Sequence, residues 1–299
     1  MAKCGYVALI GAPNAGKSTL LNALTRCRIS IITPKPQTTR GRVRGIANEG
    51  ESQIVFVDTP GIFEAKPKFE KAMVDAAWTG AEEGDAVILV VDAHRGLDDD
   101  TKRIAASLGT RTKRAILVLN KIDKVEKQRL PELAQTLYEL YDFERSFMVT
   151  AQRGDGVKDI LKYLASTMPE GEWLYPEDEV TDMPERMLAA EITREQCFLK
   201  LHAELPYGLM VETEKWEEKT VKGKRTLKIN QVVVVERESH KKIVLGKAGA
   251  MLKNIGAASR RKIGQALDAD VHLFLFIKLH EKWKDDPLSF AAAGLEYKK

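Results

Sequence analysis

The apolar run Tyr6-Val7-Ala8-Leu9-Ile10 breaks into Gly11-Ala12-Pro13-Asn14-Ala15-Gly16-Lys17-Ser18-Thr19, and a helical pattern begins at once. Strand, glycine-bounded turn and helix in that order match Gly-x4-Gly-Lys-Ser, the pattern of a phosphate-binding loop. Gly11 and Gly16 let the backbone curl around an anion with its N–H groups turned inward. The helix starting near Lys17 aims its partial positive end at the same point. Lys17 adds a full charge for the outer phosphates, and the Ser18 hydroxyl can ligate Mg2+.

The rest of the first half repeats this grammar. Strands are predicted at Tyr6–Ile10, Arg44–Ala47, Gln53–Asp58, Ala86–Asp92, Arg114–Asn120 and Ser146–Thr150. Helices are predicted near Lys17–Thr25, Lys68–Glu82, Asp99–Leu108, Pro131–Tyr141 and Val157–Thr167. Continuous Val/Ile/Leu strands separated by helices predict a mostly parallel six-stranded α/β sheet with helices on both faces. The Pro-rich, acidic stretch 169–184 reads as a linker between a first domain, residues 1–168, and a second, residues 185–299 with a polar tail. In that second part a helix from Glu185 to Leu205, strands near Met210–Trp216 and Thr226–Glu236, a helix near Met251–Leu267 and a strand Val271–Leu279 make an α+β unit.

Further signatures stand at strand ends, in the order a guanine-nucleotide site needs. In Asp58-Thr59-Pro60-Gly61, Asp58 can hold a Mg2+-bound water and the Gly61 amide can sense a γ-phosphate. In Asn120-Lys121-Ile122-Asp123, the Asp123 carboxylate can accept the paired donors of guanine, which adenine does not present. Pairing of this kind discriminates by roughly 10⁴-fold or more, because the wrong base leaves buried groups unpaired. Asn120 and Lys121 brace that loop, and Thr150-Ala151 can bring a backbone amide to guanine O6. The Pro-interrupted segment 33–40 offers Thr38 or Thr39 as a hydroxyl for Mg2+ and an amide for the γ-phosphate. Hydrolysis would break both interactions and release the segment.

Composition excludes several classes. The 299 residues are 44% hydrophobic and 30% charged, as in a globular protein of two domains. No apolar run approaches the roughly 18 residues of a membrane span, and Met1–Gly5 leads directly into the first strand, leaving no room for a signal peptide. Cys4, Cys27 and Cys197 are too few and too scattered for a disulfide framework or zinc site, which points to a reducing cytoplasm.

Charge divides unevenly. Residues 1–184 carry 25 Lys and Arg against 27 Asp and Glu, and residues 185–299 carry 22 against 16. From Ser239 to Leu267 there are seven basic residues (Lys241, Lys242, Lys247, Lys253, Arg260, Arg261, Lys262) and no acidic one. Within that stretch, Gly246-Lys247-Ala248-Gly249 is a Gly-x-x-Gly loop ahead of an amphipathic helix. Two glycines and a lysine let backbone lie against a sugar–phosphate chain. An apolar groove, for which Ile243, Leu245, Leu252 and Ile255 are candidates, could then receive about four bases of single-stranded RNA.

Through Gly11–Ser18, Pro36-Gln37-Thr38-Thr39-Arg40, Asp58–Gly61 and Asn120–Asp123, residues 6–168 resemble a translation-factor-type GTPase domain, and closely the Era family of ribosome-associated GTPases. The Gly246–Gly249 region resembles the type II KH domain that follows the GTPase domain in that family. The resemblance implies a GTP/GDP-binding, Mg2+-dependent GTPase in which Thr39, immediately before Arg40, is the switch threonine, with Thr38 as the alternative. Ser18, Thr39 and Asp58 would hold the metal, and Lys17, Thr39 and Gly61 would act in catalysis. It further implies binding to the 3′ end of 16S ribosomal RNA, a role in maturing the 30S subunit, and a monomer with peripheral contact to the inner membrane. Ile62 stands where many small GTPases carry a water-orienting glutamine, which implies slow intrinsic turnover. In related GTPases an asparagine at the Asn14 position accompanies K+-assisted hydrolysis; the competing role is a loop-stabilising hydrogen bond. The alternative for the whole chain is an RNA-binding protein with a vestigial or purely regulatory nucleotide site.

The remaining candidates read as structural. The histidines lack metal-site spacing, Trp173, Trp216 and Trp283 read as packing residues, and Glu191 and Glu195 are expected on a solvated helix face.

Overall fold

The computed structural model describes residues 1–112, 114–201 and 205–298, which form two compact units. The first comprises residues 1–182 together with the tail from 293, and the second residues 183–292.

In the first unit, β1 (Lys3–Ile10) leads through the glycine loop into α1 (Lys17–Thr25). There follow β2 (Val43–Glu49), β3 (Ser52–Asp58), α2 (Lys68–Glu83), β4 (Ala86–Asp92), α3 (Asp99–Ser107), β5 (Ala115–Asn120), α4 (Arg129–Leu140), β6 (Arg145–Val149) and α5 (Val157–Thr167). The sheet order is β2-β3-β1-β4-β5-β6. β2 runs antiparallel to β3 as its hairpin partner, and the other neighbours are parallel. Strands β3, β4 and β5 are buried along their whole length, as unbroken Val/Ile/Leu runs require when helices cover both faces. This layout brings the carboxyl ends of β1, β3, β4 and β5 to one edge, where open α/β sheets hold ligands.

The stretch read as a linker is laid along the first unit. Gly171 N–H donates to Ala2 O at 3.1 Å and Ile46 N–H to Val180 O at 2.9 Å. The fully buried Gln53 accepts from the amides of Leu174 and Tyr175 at 2.9 and 3.0 Å and donates to Tyr175 O at 2.9 Å. Arg44 closes the far end with Asp182 at 2.7 Å.

The second unit contains α6 (Glu185–Lys200), β7 (Leu209–Val221), β8 (Lys224–Val235), α7 (Glu238–Leu245), α8 (Ala250–Leu267), β9 (Asp270–Leu279) and α9 (Pro287–Ala292). β7 and β8 pair antiparallel across a tight turn whose Lys222 and Gly223 both have positive φ, while β8 and β9 run parallel. α6 ends at Lys200, five residues short of the expected Leu205, which lies in a 3-10 turn; residues 202–204 fall outside those described. α7 was not expected, because Ile243-Val244-Leu245 has the β-branched character of a strand. Val244 alone of the three is buried in the core, and Lys242 and Ile243 are exposed in succession while His240 and Lys241 are half-buried, which is the i, i+3, i+4 pattern of a surface helix rather than strand alternation.

Gln53→Leu keeps the volume and removes three hydrogen bonds that hold residues 174–175. The expected cost is about 2–4 kcal/mol, read by urea denaturation, with faster proteolysis confined to residues 170–182.

Candidate functional site

The phosphate loop is shaped by close approaches that only glycine tolerates. Gly11 has φ 151°, and a Cβ there would stand 2.3 Å from Val90 O. Gly16 has φ 99°, and a Cβ there would stand 2.2 Å from Asn120 Nδ2. Lys17 folds back over the loop, donating to Gly11 O at 3.0 Å and Ala12 O at 3.1 Å. Its ammonium is buried, which lowers its pKa to about 8 against the opposing pull of Asp58. A phosphate in the loop would restore the missing counter-charge. Pro13 and the exposed Asn14, the latter at φ 64°, form the crest, with Ala12 and Ala15 packed beneath it. Thr19 lines the same cavity, about 720 Å3, that Lys17 and Ser18 border.

Oxygen ligands converge on Asp58. Ser18 Oγ donates to Asp58 Oδ2 at 2.6 Å, Ser30 Oγ at 2.7 Å and Thr39 Oγ1 at 3.3 Å, and the Ser18 and Thr39 hydroxyls are 2.8 Å apart. Asp58 Oδ1 is buried with no hydrogen-bond partner among the described residues, and burial raises the carboxyl pKa despite the surrounding donors. A buried carboxylate oxygen with nothing to accept, beside two hydroxyls, is the donor set that suits a hard divalent cation or its water. Thr38 lies apart, with its hydroxyl 2.6 Å from that of Thr33 and donating to Lys35 O at 2.7 Å. Ser30 was not expected; it lies outside every motif, and nothing in its sequence surroundings marks it.

Gly61 packs against the crest, since a Cβ there would come within 2.9 Å of Pro13 Cα. Ile62 donates its amide to Gly11 O at 3.1 Å and buries its side chain in the core. It is therefore both apolar and turned away from the cavity, unable to orient a water.

The base end is braced by one amide. Asn120 donates to Ala15 O at 3.0 Å and accepts from Lys121 N–H at 2.8 Å and Ala151 N–H at 3.0 Å. Of the Thr150-Ala151 pair, from which a backbone amide is expected at guanine O6, the Ala151 N–H donates to Asn120 and the Thr150 N–H to Asp155 O at 3.1 Å. Lys121, at φ 62°, spans from Asn14 O at 2.7 Å to Asp92 Oδ2 at 2.5 Å. Asp92 was missed, yet it ends β4 directly opposite Asn120 in register. Asp123 faces Arg153 at 3.4 Å, an exposed pair that a base could replace.

In the second unit the basic loop joins α7 to α8. Gly246, Ala248 and Gly249 have φ of 70°, 49° and 79°. A Cβ at Gly246 would meet Met251 N at 2.9 Å, whereas Gly249 faces open space. Lys242, Lys247, Lys253, Arg260 and Arg261 are exposed, and Lys241 is half-buried beside Glu238 at 3.5 Å. Ile243 and Leu245 are exposed at 52% and 43%, so they offer an apolar surface, but Ile255 is fully buried and cannot line a groove. Glu195 corrects the solvated-face expectation: it is 1% exposed and paired with Lys262 at 2.9 Å, while Glu191 pairs with the buried Arg194. Helix α6 is packed on that side, so its charges are matched internally. Trp283 is buried, donating to Gly208 O at 3.2 Å.

Family models for a 50S ribosome-binding GTPase and a KH domain match residues 6–121 and 204–284. The chain is 50% identical over 297 residues to GTPase Era of Rhizobium meliloti (strain 1021), covering 99% of this chain and 94% of that relative. The chain belongs to the Era family of GTPases. GTPase Era of Brucella suis is likewise 50% identical over 295 residues, with 99% and 94% covered. Among solved structures, Aquifex aeolicus Era bound to GDP·AlF4− superposes with a TM-score of 0.92 at 36% identity, covering 98% of this chain and 99% of that one. Era in complex with MgGDPNP and nucleotides 1506–1542 of 16S ribosomal RNA gives 0.93 at 36% identity, with the same coverage.

Of the two candidate switch threonines, Thr39 is the one that reaches the carboxylate cluster. Thr39→Ala is expected to lower the Mg2+-dependent affinity for a non-hydrolysable GTP analogue at least tenfold, about 1.4 kcal/mol, with GDP affinity little changed. Thr38→Ala should leave both near wild type in the same titration.

Proposed function

We propose that this chain is a GTP-hydrolysing switch that binds the 3′ end of 16S ribosomal RNA through its second unit and assists maturation of the 30S subunit. The observation that carries the reading is the pairing, in one Era-family chain, of a complete guanine-nucleotide edge with an exposed, acid-free Gly-x-x-Gly loop. Gly11–Thr19 would cradle the phosphates, Lys17 neutralise them, and Asp123, with Asn120, Lys121, Thr150 and Ala151 as its frame, select guanine. Ser18, Thr39 and Asp58 would hold Mg2+, which supplies charge neutralisation at the β- and γ-phosphates when bound. The orphaned Asp58 Oδ1 and the adjacent hydroxyls support that set. The Thr39 and Gly61 amides would report the γ-phosphate, ordering residues 33–40 and biasing how the RNA-binding unit is presented.

Because Ile62 is buried, hydrolysis needs a group from outside the glutamine position. We assign that help to K+ held through Asn14, whose exposed side chain stands at the loop crest. The protein would work as a cytoplasmic monomer with, at most, peripheral contact to the membrane; among the described residues no helix is long and apolar enough to cross one. The vestigial-site alternative fits poorly with a site whose lysine, carboxylate and hydroxyls are all in place.

At the RNA unit, Gly249→Asp places a negative charge in open space at φ 79° without touching the core. It is expected to abolish binding of a single-stranded 16S 3′-end oligonucleotide in a fluorescence titration, while GDP affinity stays within twofold. Unchanged RNA affinity would remove the loop assignment. GTP turnover in K+ should exceed that in Na+ at matched ionic strength by about tenfold or more, and an Asn14→Ala variant should lose the difference.

A further inference from the structure

The segment that carries Thr39 is tied to α2 at three points. Gln37 Nε2 donates to Glu70 Oε1 at 3.1 Å, Arg40 lies over the Phe69 ring at 5.9 Å, and Arg42 pairs with Glu83 at 2.6 Å. Residues 37–42 and α2 therefore make one continuous surface. Onto it comes the end of the chain. After α9 the backbone turns at Gly294, φ 69°, and residues 293–298 pack as part of the first unit. Gly41 lies so close to the Ala293 carbonyl that a Cβ would stand 2.1 Å from its oxygen. Leu295 is 6% exposed, Lys68 Nζ sits 4.1 Å from the Tyr297 ring centroid, and Lys298 reaches Asp75 at 3.0 Å.

We propose that the surface formed by Gly41 and the N-terminal half of α2 is a receptor for the chain's own C-terminal segment 293–298, occupied when Thr39 is drawn in beside Ser18 and Asp58. Gly41 is two residues from Thr39, no more than about 7 Å of chain, which places the floor on which Ala293 rests where a displacement of that threonine can be passed to it. The anchors have different weights. Leu295 burial and the glycine contact set the position, whereas Lys298–Asp75, with both side chains more than half exposed, contributes little. Because the segment follows α9 directly, its docking joins the nucleotide state to the chain end of the RNA-binding unit. By linkage, a segment that prefers the triphosphate arrangement must strengthen triphosphate binding by the same factor.

The inference rests on the switch reading of residues 33–40, and one experiment separates the two. Hydrogen exchange on the full chain, with GDP and with a non-hydrolysable GTP analogue, follows residues 33–40 and 293–298 together. Protection of 293–298 should be about tenfold greater with the analogue, inside the usual range of coupling between sites. Leu295→Asp should abolish that protection and weaken the analogue relative to GDP by the same factor; the milder Leu295→Ala, which empties the same buried position, repeats the test should Leu295→Asp not fold. Equal or reversed protection of 293–298, with 33–40 still responding, overturns the receptor. So does an unchanged affinity ratio in the variants. Equal exchange at 33–40 as well would remove the switch reading and this inference with it.

Discussion

The side-chain amide of Asn120 holds the nucleotide edge together. Its donor reaches the phosphate loop at Ala15 O, and its acceptor collects the amides of Lys121 and Ala151. Three loops, following β1, β5 and β6, are thereby fixed to one another by a single planar group buried at the end of a central strand. The contact also explains a glycine, since Gly16 lies where any Cβ would strike the Asn120 nitrogen. A planar amide has a donor and an acceptor in fixed opposition, which a carboxylate or an amine cannot reproduce. Phosphate loop and base loop are therefore positioned as one rigid body.

Against that rigid frame the cation end is left incomplete. Among the described residues, three hydroxyls donate to one oxygen of the buried Asp58 and none to the other. Burial raises its pKa, a cost that a bound cation or its water would offset. The rise in the carboxyl pKa and the depression of Lys17 have the same cause, burial in a site built for a highly charged ligand. Ile62 shows the opposite choice. Its side chain strengthens the core beneath the loop and gives up any part in orienting water.

Much of this was legible in the residue order. The sheet with its parallel strands, both motif loops, and the placement of Asp58 and Asn120 at strand ends all follow from apolar runs ended by characteristic polar residues. What was not legible depended on contacts remote in sequence. α7 was hidden because its β-branched residues carry a strand's local preference, overridden when Val244 alone enters the core. Glu195 read as solvated because i,i+4 spacing says which residues share a face, not what covers that face. Gln53 is an ordinary polar residue in a strand until Leu174 and Tyr175 lie against it.

The sequence by itself determined the chemistry offered at each strand end: which loop takes phosphate, which carboxylate can read guanine, and which loop is bare of negative charge. These are local properties, set by residue type, spacing and backbone freedom. Tertiary structure alone decided which of two adjacent threonines stands beside Asp58, that the Ala151 amide serves Asn120, and that the chain end packs with Gly41 and α2. Each depends on bringing together groups tens to hundreds of residues apart, where packing and hydrogen-bond satisfaction, rather than propensity, choose the partner.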